Sequence, residues 1–147
     1  MKKIIQKIVL GAVIVKDRKV LILQRHENEE TYPGMWELPS GKKENFESSE
    51  ASLVREVREE SGLDIEVIMP VSVFDYQIDK PDEICDSTQI NFLITVINNK
   101  DVVLSDEHQA YTWITDEQID EYNITNDTKD VIRKAFEIIS KLNLEVF

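Results

Sequence analysis

Two apolar runs open the chain, Ile8 to Val15 and Lys19 to Leu23, rich in Val, Ile and Leu and separated by Lys16-Asp17-Arg18. Runs of this length and composition, joined by a charged triplet, predict two strands in a hairpin. From His26 the pattern turns polar as far as Pro33-Gly34, which predicts a loop closed by a turn. A short apolar patch, Met35 to Pro39, then leads into Ser40-Gly41. Beyond it, Leu53, Val54 and Val57 fall on one side of a helix, with Ser48 or Ser49 placed to cap its start and Gly62 to stop it after Ser61. Strand-like runs return at Ile65 to Ile68, Val71 to Tyr76, Gln89 to Ile97 and Tyr111 to Ile114. Thr115 and Gln118 have capping-box spacing for a short helix. Ile132, Ala135, Phe136, Ile139 and Leu142 mark one face of a last amphipathic helix. Strands in hairpins and strands around helices together predict a mixed sheet covered by helices.

Composition narrows this picture. The chain has 147 residues, 41% of them hydrophobic, which suits one domain over residues 1–147 with a sizeable core. No repeat or Gly/Ser-rich linker interrupts it, and no apolar run approaches the roughly 20 residues of a membrane span. Lys2 and Lys3 precede an apolar stretch as in a signal peptide, but Lys7 interrupts it and no cleavage pattern follows, so a buried strand is expected there. A single cysteine, Cys85, excludes an internal disulfide and points to a reducing, cytoplasmic setting. Cys85 stands among Asp82, Glu83 and Asp86 in what reads as a polar loop, a poor setting for a nucleophile. The net charge of −12 argues against a protein that coats a nucleic-acid polymer, and it leaves room for a small phosphate ligand whose charge a divalent cation offsets.

The helix after Gly41 carries Glu56, Glu59 and Glu60 within about a 100° sector, apart from its apolar side. Like charges at such spacings repel by roughly 0.2–0.5 kcal/mol per pair, which a solvated helix tolerates. An exposed acidic face is therefore one reading. The other is a cation site, because clustered carboxylates suit hard ions such as Mg²⁺ or Mn²⁺. Arg55 and Glu47 are spaced to buttress the cluster, and a Gly-punctuated loop containing Trp36 adjoins it.

The full segment reads Gly41-x5-Glu47-x7-Arg55-Glu56-Val57-x-Glu59-Glu60-x-Gly62-Leu63. Such a pattern arises by accident on the order of 10⁻⁸ times in a chain of this composition. It resembles, at every specified position, the signature of the Nudix hydrolases, here residues 41–63. The flanks, Leu21 to Arg25, Pro33 to Pro39, and Glu107-His108 with Trp113, are similar to those of MutT-type members.

The resemblance implies an α/β/α sandwich around a mixed sheet and Mg²⁺- or Mn²⁺-dependent hydrolysis of a phosphoanhydride in a nucleoside diphosphate linked to another group. By the same resemblance Glu59 and Glu60 match the principal metal-ligating pair, Glu56 a further ligand or base, and Glu107 a downstream metal-binding glutamate. Ser40 matches the position that offers a backbone carbonyl to the metal, although many members carry Gly there. Arg55 and Glu47 match the pair that orients the glutamates, while Gly41 and Gly62 frame the segment. Glu56 or Glu107 would take the proton from the attacking water. Such proteins are often dimers, but no interface is legible in this sequence.

Outside the segment, Arg25 matches a position that contacts phosphate, with a strand-end salt bridge as the alternative. Trp36 reads as a core-edge aromatic or a stacking platform for substrate. Asn126 matches an Asn that reads a purine edge, although a helix N-cap is the simpler account. Phe74 and Tyr76 alternate with Asp75, so one face of that strand can meet substrate. His26 and His108 have no Ser or Cys partner and are expected to be structural or exposed. The short length and MutT-like flanks favour a nucleoside triphosphate as substrate. The alternatives are a non-nucleotide or sugar-nucleotide diphosphate, or a non-catalytic nucleotide sensor, the latter opposed by the complete set of carboxylates.

Overall fold

The computed structural model describes residues 1–145 and 147. Strands β1 (Lys3–Lys16) and β2 (Lys19–Arg25) are joined through Asp17 and Arg18, both at positive φ (51° and 60°), as a two-residue type I′ hairpin demands. The two strands pair with each other only at Val15↔Val20 and Lys16↔Lys19. Further from the turn, β3 (Trp36–Glu37) and β4 (Ser40–Lys42) take their place, β3 on β2 through Leu23↔Glu37 and β4 on β1 through Gly11↔Ser40. The Ala12 amide donates to the Pro39 carbonyl at 2.8 Å and fastens the link between them. The apolar patch at residues 35–39 thus becomes a wedge that carries Glu37 and Ser40 into the middle of the sheet.

On the other side of β1, β6 (Glu83–Val96) runs parallel to it from Lys3↔Glu83 to Val15↔Thr95. β5 (Ile65–Asp79) lies antiparallel to β6, and β7 (His108–Ile114) antiparallel to β2, completing a seven-stranded mixed sheet. Alternation along β1 feeds two cores. Val13 and Val15 join Ile22, Leu93 and Ile114 beneath α2 (Asn126–Lys141) and a 3₁₀ helix (Asp116–Glu121), through Ile119, Ile132, Ala135 and Ile139. Ala12 and Ile14 join Leu21, Leu23 and Ile94 beneath α1 (Ser49–Ser61), through Leu53 and Val57. Helices on both faces of one mixed sheet make the expected α/β/α sandwich.

Several boundaries differ from the sequence reading. The two short strands at 65–68 and 71–76 are one strand, because register shifts on either side of Pro70 let the chain continue. A proline fits there, since β5 is an edge strand. β1 and β6 begin five and six residues earlier than their apolar runs. Those leading halves mix apolar and polar residues without a continuous apolar run, and their mutual backbone pairing extends the strands. Cys85 is therefore in a strand and buried, not in a loop. Leu142 is 58% exposed and lies past the end of α2, so the apolar stripe stops at Ile139.

Candidate active site

Three elements converge on one end of the sheet. α1 starts where the Ser48 hydroxyl accepts from the Ala51 amide at 3.1 Å and ends at Gly62, in the left-handed region at φ 74°. Between these caps Leu53 and Val57 are fixed against the sheet, and Glu56 and Glu60, on the adjoining strip of the same side of the helix, meet the wedge at Gly41 and Ser40. Glu60, in the last turn, is 5% exposed and accepts from the Ser40 amide at 3.2 Å. β4 is extended at Ser40, so the serine found where many members have glycine needs no positive φ. At Gly41 the wedge passes so close to α1 that a Cβ would lie 2.0 Å from the Glu56 carboxyl carbon. Any larger residue there would have to displace the Glu56 side chain.

The buttress expected from the sequence is present. Arg55 holds Glu47 through two bonds, from Nε and Nη2, both 2.9 Å, and reaches Glu56 at 2.8 Å and Glu59 at 3.5 Å. The Ser52 hydroxyl also donates to Glu47. The Arg55 guanidinium, seconded by Ser52, lowers the Glu47 pKa to about 2, so this fork stays charged down to low pH. Glu56, partly enclosed, is pushed the other way by burial despite its bond to Arg55. Glu60 shows the largest effect. Burial first, then the charges of Glu37, Glu107 and Glu56, raise its pKa to about 9.

A pocket of about 500 Å³ opens beside Glu60. Ser40, Glu60, Glu107, Arg25, Glu37 and His108 line it together with Trp36, Phe74, Tyr76, Gln89, Asp127 and Thr128. Of the ligand set expected from the sequence, Ser40, Glu60 and Glu107 share the pocket, with Glu56 within electrostatic reach. Glu59 stays exposed on the solvent side, paired with Arg55. Among the described residues no three carboxylate, imidazole or thiol groups close around a single point. The donor set nevertheless fits a hard divalent cation: oxygen ligands, one of them a buried carboxylate that three others make costly to ionise.

The remaining expectations divide. Arg25 lines the pocket but is held from within, donating to the Thr31 carbonyl at 2.9 Å and pairing with Glu37 and Glu29. Trp36 packs edge-on against Tyr122 at 5.3 Å between centroids, a core-edge aromatic that also borders the pocket. Phe74 and Tyr76 face the pocket, while Asp75 on the opposite face accepts from Thr88. Asn126 is not the cap of α2: Thr125 holds that place, its hydroxyl accepting from the Thr128 amide at 3.3 Å. Asn126 is exposed and outside the pocket lining, where Asp127 and Thr128 stand instead. His26 is exposed at the surface, against the Asp106 carbonyl. His108 is buried, and its Nε2 meets Glu37 at 2.8 Å. Glu37 was missed in the sequence, although it sits in the quoted apolar patch; a lone carboxylate among Trp36 and Leu38 was the available signal.

The fold and this site define a Nudix hydrolase: the family model for the NUDIX domain matches residues 6–135, and the chain belongs to that family, a pyrophosphohydrolase. Among its relatives is the nucleoside triphosphatase NudI of Salmonella arizonae, 30% identical over 138 residues, covering 87% of this chain and 95% of that protein. Among solved structures, the Escherichia coli ORF135 protein superposes with a TM-score of 0.68 at 26% identity, over 97% of this chain and 96% of that one. The MutT protein of Methanosarcina mazei Go1 also gives 0.68 at 26% identity, over 99% of both chains.

Proposed function

We propose that this chain is a divalent-cation-dependent pyrophosphohydrolase of nucleoside triphosphates, releasing a nucleoside monophosphate and pyrophosphate. The observation that carries the reading is Glu60, buried beside Glu37, Glu56 and Glu107 in a pocket that aromatic and polar side chains also line. Resemblance to the nucleoside triphosphatase NudI over most of both chains supports the substrate class. Glu60, Glu59, Glu56, Glu107 and the Ser40 carbonyl would hold Mg²⁺ or Mn²⁺, which acidifies a bound water and offsets charge on the phosphates.

The protein's own groups do the rest. Arg55, anchored by Glu47, fixes the direction of Glu56 beside the pocket. Glu107 is exposed at the pocket, its carboxylate without a hydrogen-bond partner among the described residues, and is free to accept a proton. Trp36, Phe74 and Tyr76 give the nucleoside an apolar surface away from the phosphates.

The test is product analysis over a nucleotide panel with and without Mg²⁺. Monophosphate and pyrophosphate, formed only with the cation, are expected; orthophosphate from intact triphosphates would overturn the reading. Reaction in ¹⁸O-water is expected to label pyrophosphate, which marks attack at the β-phosphorus.

A further inference from the structure

Four polar residues alternate along the pocket-side face of β6, Cys85, Ser87, Gln89 and Asn91, before the strand reverts to apolar Leu93. Asn91 is fully buried, and its Oδ1 accepts from Gln89 Nε2 at 2.9 Å. Gly11 lies against this pair: a Cβ there would fall 2.2 Å from Asn91 Oδ1 and 2.9 Å from Gln89 Nε2. Asn91 Nδ2 and the hydroxyl of its cross-strand neighbour Ser72 are both buried with no hydrogen-bond partner among the described residues. Unpaired polar atoms in a sheet interior cost stability, and apolar side chains of similar size would remove that cost. Neither the cation site nor the α1 buttress touches the pair. Gln89, in contrast, lines the pocket beside its cross-strand partner Phe74.

We propose that Gln89, held by Asn91 over Gly11, is a specificity-determining residue that reads the hydrogen-bonding edge of the substrate's nucleobase. Asn91 uses one of the two amide hydrogens of Gln89. The carbonyl and the second N–H remain, side by side, as an acceptor and a donor. That pair complements an adjacent donor and acceptor on a base edge, the geometry by which a carboxamide recognises adenine. A phosphate or a bare sugar offers no such planar edge. Asn91 is a positioning residue in this account, because it locks the Gln89 rotamer without meeting the substrate. The inference rests on the nucleoside triphosphate reading above.

The experiment compares kcat/KM for the common ribo- and deoxyribonucleoside triphosphates and for ribose 5-triphosphate, which lacks a base, in the wild-type chain and in Gln89→Met. In the wild type one base is expected to be preferred and all bases to outrun the base-less compound. In Gln89→Met the ratio of the preferred base to ribose 5-triphosphate is expected to fall on the order of 10- to 100-fold, chiefly through KM. An unaltered ratio would overturn the inference. So would a wild type that turns over ribose 5-triphosphate as well as any nucleotide, although the pyrophosphohydrolase reading would then stand. Absence of turnover on every triphosphate would sink both. Gln89→Glu keeps the size of the side chain and replaces the donor by an acceptor, so it is expected to reorder the bases if Gln89→Met fails to fold; an unchanged order there would overturn the inference too.

Discussion

Replacing Glu60 by Gln keeps its volume and its bond from the Ser40 amide while removing the charge a cation needs. Hydrolysis is expected to fall on the order of 10²- to 10⁴-fold in Glu60→Gln and in Glu59→Gln, measured as kcat/KM under saturating Mg²⁺. Near-normal turnover in both would remove the cation assignment. The proton acceptor is a separate question at the same scale. Glu56 has one oxygen occupied by Arg55, whereas Glu107 has none committed among the described residues. Glu107→Gln is accordingly expected to lower kcat more than it raises KM. A mild Glu107→Gln beside a severe Glu56→Gln would transfer the role to Glu56.

At the scale of elements, the caps make the sharpest test. Thr125→Ala removes the hydroxyl that receives the Thr128 amide and is expected to cost about 1 kcal/mol in denaturant unfolding; Asn126→Ala, on the exposed first position of α2, is expected to cost well under half of that. The reverse order would restore Asn126 as the cap. How much of the structure was legible also shows best here. α1 was readable to within one residue, with Ser48 or Ser49 as its start and Gly62 as its stop, because caps are local chemistry. The relative directions of Glu56, Glu59 and Glu60 were readable because fixed spacing on one helix sets them. The forward halves of β1 and β6 were not, since their pairing comes from a strand 80 positions away and not from their own composition. Glu37 and His108 escaped for the same reason, as two side chains distant in sequence that only the pairing of β3 and β7 with β2 brings within 2.8 Å.

For the whole molecule, stability should vary with pH in opposite directions at its two edges. Glu47 is lowered from 4.5 to about 2, so its contribution is present above pH 4.5 and lost as the pH falls towards 2. Glu60 is raised from 4.5 to about 9, so the native state keeps a proton that the unfolded chain gives up, and stability is lost as the pH rises between those values. In chelator the melting temperature is expected to drop by a few degrees between pH 5.5 and 8.5, and Mg²⁺ or Mn²⁺ is expected to flatten that slope by favouring ionised Glu60. Glu60→Gln should flatten it without metal. A melting temperature in chelator that does not depend on pH over that span would contradict the electrostatic account of the site.

The parallel pairing of β1 with β6 has a consequence for how the chain acquires its shape. During synthesis β1 leaves the ribosome before its partner strand, which follows only after some 80 further residues, so the apolar stretch from Leu10 to Val15 must wait without its central neighbour. The hairpin with β2 can form at once, and α1 can dock on it. The sheet's middle seam, which both cores share, closes late and over a long loop, at an entropic cost that slows the rate-limiting step. A nascent chain released before Val96 would therefore expose an open β1 edge to other nascent chains.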